Sequence, residues 1–193
     1  MSTSILPPVP RVPAAPRATA SRGPERRVAE TGVWIGIGTI TMSFAALTSA
    51  LIVRQSSGPD WRHLHLPTLL YVNTLTLVAS SVTLEIARRR RGTTSVHATM
   101  LLGLLFIFGQ LLAWRQVAAQ NLFLSSGPSS AFFYVFTALH ALHVLGGLGA
   151  LGFVASRVAA GTLARSAFAA TALYWHFMAV LWIYLLVLLG LRG

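Results

Sequence analysis

Five stretches without a single charged residue divide this sequence, at 31–53, 66–84, 96–114, 131–156 and 166–191. A bilayer hydrocarbon core about 30 Å thick is crossed by on the order of 20 helical residues, and each stretch meets or nearly meets that length. Lipid offers no partner to a bare backbone amide, so such spans must be helical; a barrel would instead show short segments of alternating polarity. The expected fold class is an all-α integral membrane protein, a bundle of five transmembrane helices at about 31–53, 66–87, 96–118, 131–156 and 166–191. The connectors carry turn residues, as in SSGPD at 56–60, RRRRGTT at 88–94, SSGPSS at 125–130 and VAAGT at 158–162. Residues 1–29 mix Pro, Ala, Ser and Arg without an apolar block, and read as a disordered cytoplasmic tail preceding a membrane domain at 30–193.

The charge is lopsided: fifteen arginines, no lysine and four acids give a formal net charge of +11. A nucleic-acid binder would carry its arginines as a stripe on a soluble fold, whereas here they fall between apolar runs. If the tail and the second and fourth connectors share a side, that side holds eleven arginines and the other four. By the positive-inside rule the amino terminus is then cytoplasmic and the carboxyl terminus periplasmic. The absence of cysteine excludes disulfides, thiolate metal sites and covalent haem attachment. Any ligand set must therefore use histidine, methionine or carboxylate. His63, His65 and Asp60 in the first outward connector permit a metal site, but such a group is more often simply solvated.

Ionisable and polar residues inside a membrane are costly, so they are where function is sought. Glu85 sits three residues before the Arg88 to Arg91 run, where it either pairs with arginine one turn on or meets lipid headgroups or protons. His140 and His143 share a helix face at i, i+3, and His176 lies on the last span. Three readings stay open: axial ligation of a b-type haem in a stand-alone di-histidine cytochrome, an interhelical hydrogen-bond lattice, or contact with a partner or lipid. Asn73, Thr76 and Ser80 fall on one face of the second span beside Thr74 and Thr83, and Gln110 shares a face of the third with Trp114. Small residues at Gly32/Gly36, Ala45/Ser49 and Gly146/Gly149/Gly152 are expected to let helices approach closely. Trp61, Trp114, Tyr134 and Tyr174 read as interfacial anchors or as bundle packing.

Five motifs in order carry a resemblance: ETGVW at 30–34, LPTLLYVNTLTLVASSVTLEIAR at 66–88, GLLFIFGQLLAW at 103–114, TALHALHVLGG at 137–147 and YWHFMAVLW at 174–182. With these, the chain resembles subunit III of the haem-copper respiratory oxidases in its short, five-helix form. The resemblance implies an accessory, non-redox subunit of a bacterial cytochrome c or quinol oxidase in the plasma membrane, with no active site, haem or copper of its own. It implies that the haem and copper reside in the partner catalytic subunit I, with subunit II as a further partner. It also implies bound phospholipid, stabilisation of the oxygen-reducing centre and support of proton uptake. A subunit III-like protein of nitric oxide reductase shares the same short form. Asn73, Ser80, His140, His143, Trp175, His176 and Trp182 match family motif positions, and with Glu85 and Gln110 they are the candidate structural, lipid-contact or subunit-contact residues. The chain also departs from the pattern. The family commonly has carboxylates where Ile40, Ala113 and Ala179 stand, which puts in doubt any lipid or proton role attributed to those acids.

Overall fold

The computed structural model describes residues 24–58, 61, 66–90, 93–162 and 165–192. They form five α-helices: α1 (Pro24–Ser57), α2 (Leu69–Arg90), α3 (Thr93–Ala119), α4 (Pro128–Ala159) and α5 (Arg165–Arg192). All five contain a window long and apolar enough to cross a membrane. The helix α1 begins ahead of the first uncharged stretch, with Pro24 at its start, where the fixed φ of proline suits a first turn. Most of the expected tail, and the trio Asp60, His63 and His65, lie outside the described residues.

The helix ends follow from local chemistry. At the end of α4 the chain enters the left-handed region at Gly161, φ 67°. The Gly161 N–H then donates to Val158 O and the Thr162 N–H to Arg157 O. This pair of bonds closes the last carbonyls of the helix, and a residue without a Cβ adopts the required φ freely. The same closure ends α3, where Asn121 has φ 60° and Asn121 and Leu122 donate to Ala118 O and Val117 O. Asparagine tolerates that conformation better than other residues with a side chain. Pro128 opens α4 behind the N-cap Gly127.

Four helices close into a ring. The α2 helix packs on α3 and α5, and α4 packs on the same two from the opposite side, while α1 lies outside against α5 and, more lightly, α4. The buried positions of α2, Leu70, Asn73, Leu77, Ser80, Leu84 and Ala87, recur every three and four residues. On α3 the inward series is Val96, Thr99, Phe106, Gln110, Ala113 and Val117. This spacing is that of helices packed side by side with interlocking side chains. The outer faces are just as apolar: Leu75 is 71% exposed, Leu101 68% and Val180 65%. A soluble bundle would put polar residues there; this surface suits hydrocarbon.

The inner core has Phe106 at its centre. Its ring meets the imidazole of His140 edge-on at 5.8 Å and the indole of Trp182 at 5.0 Å. Close approach of the helices depends on Gly103, Gly109 and Gly147. A Cβ at Gly109 would fall on the side chain of Asn73, at Gly103 on Leu148 and Trp175, and at Gly147 on Trp175 and Tyr174. The small residues expected to serve this purpose do not. Gly32, Gly36 and Gly149 face open space, Gly146 and Gly152 have only distant neighbours, and Ala45 and Ser49 are exposed. Spacing alone marks a small-residue stripe without saying which side of the helix carries it.

Candidate functional site

The polar residues of the spans form a set of interhelical pins. Each of the four contacts around the ring carries at least one. Between α2 and α3, the hydroxyls of Thr83 and Thr99 lie 2.9 Å apart, and Asn73 Nδ2 donates to Phe106 O at 3.3 Å. Between α3 and α4, Trp114 Nε1 donates to Thr137 Oγ1 at 2.9 Å. Between α4 and α5, the Tyr174 hydroxyl donates to His143 O at 3.0 Å. Between α5 and α2, Trp175 Nε1 donates to Ser80 Oγ and Trp182 Nε1 to Thr74 Oγ1, each at 3.0 Å. The peripheral α1 is held to α5 by Thr48 and Tyr184, whose hydroxyls lie 2.9 Å apart.

One chemical device recurs three times. An indole N–H can only donate, whereas a hydroxyl can do both. Ser80, Thr74 and Thr137 give their own hydrogens to Leu77 O, Leu70 O and Phe133 O of the same helix, at 2.7, 2.8 and 2.7 Å. Each hydroxyl oxygen is thereby left with lone pairs facing the neighbouring tryptophan. Where hydrocarbon surrounds the bundle, an indole N–H without an acceptor would be costly, so each pairing ties one helix to the next. Sequence reasoning places Ser80, Trp175 and Trp182 among the candidates but does not mark Thr74 as the acceptor for Trp182 or Thr137 as that for Trp114. The available signal is a hydroxyl on the buried stripe, as for Thr137, or beside it, as for Thr74.

The histidines separate into different roles. His176 Nδ1 lies 3.0 Å from Ser81 Oγ on α2. His143 Nδ1 lies 2.7 Å from Leu139 O, and because a carbonyl only accepts, this nitrogen carries the proton. Its ring meets Phe44 of α1 at 6.0 Å. His140 joins no such lattice. It is fully buried with both nitrogens unpartnered, and its ring is flanked by Phe106 and by Trp182 at 5.0 Å. These residues do not fit an axially ligated b-type haem: the macrocycle would have to displace Phe106 and Trp182, whose rings cover His140. Gln110, on the face it shares with Trp114, is likewise buried, with both amide atoms unpartnered. Among the described residues, no three His, Asp or Glu side chains come together as a metal-ligand set.

Glu85 lies at the end of α2 and binds two arginines. Arg88 Nε donates to Glu85 Oε2 at 2.7 Å and Arg88 Nη2 to Oε1 at 2.6 Å, while Arg89 Nε donates to Oε1 at 2.8 Å. The aromatic residues that read as anchors or as packing all bond within the protein. Trp61 Nε1 donates to Arg192 O, which also accepts from Gln55 Nε2, and Tyr134 donates to Leu122 O. Ile40, Ala113 and Ala179, where the resemblance leads one to expect carboxylates, are all interior. Beside the end of α3 a groove of about 440 Å³ opens between apolar walls that include Phe108, Leu112 and Trp114, with the exposed Arg115 at its rim.

No curated protein matches the chain in a sequence comparison. The family profile described as cytochrome c oxidase subunit III matches residues 39–193, which takes in most of α1 and all of α2 to α5. The bundle with its interhelical pins therefore belongs to the cytochrome c oxidase subunit III family.

Proposed function

We propose that the chain is the accessory subunit III of a bacterial haem-copper terminal oxidase, cytochrome c or quinol, seated in the plasma membrane against catalytic subunit I and near subunit II. The family match carries this reading. The interior supports it, because the polar groups are spent on holding helices to one another and the site fits no haem. The rigid ring would offer the catalytic subunit a fixed apolar wall, stabilising the oxygen-reducing centre and supporting proton uptake. The arginine distribution supports a cytoplasmic amino terminus and periplasmic carboxyl terminus. Alkaline phosphatase fused after Arg192 should then be active, and an inactive fusion would reverse the topology.

The groove at the end of α3 supports a bound phospholipid. Its walls suit an acyl chain, and Arg115, directly after the uncharged stretch 96–114, offers a guanidinium that can pair with a phosphate. Purification of the tagged chain in mild detergent tests the whole reading. The largest companion should be a haem- and copper-bearing catalytic subunit. A nitric oxide reductase chain in its place would support the other short-form assignment, and a chain that purifies alone with a stoichiometric Soret band would overturn both.

A further inference from the structure

Gln110 and His140 present the four buried side-chain atoms, among the described residues, that have no hydrogen-bond partner: the two amide atoms of one and the two ring nitrogens of the other. Both residues are essentially inaccessible, at 1% and 0% exposure. They lie on neighbouring helices, α3 and α4, which pack together. Phe106, Gln110 and Trp114 follow one another at i, i+4 along a single face of α3. Phe106 touches His140 of α4, and Trp114 bonds Thr137 of α4. Gln110 lies between these two contacts, so it faces the α4 turn that carries Thr137 and His140. Thr137 cannot supply a hydrogen, because its own goes to Phe133 O.

We infer that Gln110 and His140 together form an internal site for a bridging water molecule between α3 and α4. Water is the ligand whose chemistry the pair fits. A neutral imidazole offers one donor and one acceptor, and a primary amide offers both. A small molecule that donates and accepts can join them in either tautomer. Buried waters are held by otherwise unpaired polar groups of this kind, whereas an apolar ligand would bond none of these atoms and an ion would match only the donors or only the acceptors. The inference rests on the geometry of this chain alone and is independent of the oxidase assignment.

Synchrotron radiolytic labelling of the full chain in its purified membrane complex tests it, using solvent water labelled with heavy oxygen. Hydroxyl radicals formed at a bound water mark adjacent side chains even when these are closed to solvent. Oxygen incorporation at His140, Phe106 and Trp182 should stand several-fold above that at Phe133, an equally buried ring in the same bundle. It should fall to the Phe133 level in Gln110→Met, which keeps the length of the side chain and removes its hydrogen bonding. Labelling of the wild type at the Phe133 level would overturn the inference and favour a direct amide-to-imidazole bond. Undiminished labelling in both Gln110→Met and His140→Phe would overturn it as well, because the water would then not be held by the pair. The wild-type measurement stands by itself if either variant fails to assemble.

Discussion

The indole N–H of Trp175 on α5 donates to the hydroxyl of Ser80 on α2 at 3.0 Å, and both residues are wholly buried. Ser80→Ala leaves that N–H without an acceptor. Interhelical hydrogen bonds in membrane bundles average about 0.6 kcal/mol and reach about 1.7, so a loss of about 1 kcal/mol is expected. Trp175→Phe removes the donor but also leaves a void, and should cost about 2 kcal/mol or more. The double variant should be less destabilised than the sum of the two by about 0.5–1.5 kcal/mol. Unfolding in detergent measures all three, and strict additivity would show that the bond contributes nothing.

That pairing also shows what was legible beforehand. The five helices are readable because hydropathy and length, the two quantities a bilayer constrains, are properties of the sequence itself. Ser80 and His176 stand out because polar groups are rare in such spans, and Trp175 and Trp182 because they match family motif positions. Which partner each takes depends on how the helices are rotated, and nearly uniform apolar faces carry little information about rotation. Hence Thr74 and Thr137 do not declare themselves as acceptors, Gly32 and Gly36 read as contacts although they meet nothing within 4 Å, and Gly103 and Gly109 carry no mark of their close packing. His140 and His143, three residues apart, look equivalent in the sequence; one is buried in an aromatic box and the other caps a carbonyl of its own helix.

The glycines make this distinction measurable. A Cβ at Gly103 would come within 2.8 Å of Leu148 Cδ2 and of Trp175 Cη2, so a neighbour must move. Gly103→Ala should therefore destabilise the bundle by about 1–3 kcal/mol, the usual cost of overpacking. Gly36→Ala meets nothing within 4 Å and should leave stability unchanged or slightly raised, because alanine is the better helix former. Thermal unfolding of the two variants side by side checks the contrast. Equal effects would mean that α1 packs differently from the arrangement described.

His143 links α4 to the peripheral helix through its ring contact with Phe44. His143→Ala removes that contact, and α1 should dock less firmly against α4. If the accessory role holds, the variant should co-purify less well with the catalytic subunit or shorten its working lifetime, while haem content per catalytic subunit stays normal. His143→Phe keeps an aromatic edge against Phe44 and should recover most of the loss. Failure of that rescue would shift the role of His143 from its ring to its nitrogens.

Ala113 stands where the resemblance leads one to expect a carboxylate, and its side chain is fully buried on the inward stripe of α3. Ala113→Glu adds volume to a packed interior and brings in a carboxyl group that must find hydrogen-bond partners or stay protonated. Overpacking and an unpaired polar group together should cost about 2–4 kcal/mol. Ala119→Glu, at the exposed end of the same helix, serves as the control and should be near neutral. Unfolding midpoints in detergent compare the two. Gln110 lies three residues from Ala113 on the same stripe, with unpartnered amide atoms. If Ala113→Glu proves as stable as the wild type, those atoms, with His140 on α4, would be pairing with the carboxyl group, and the interior would hold hydrogen-bond partners for an acid at this position.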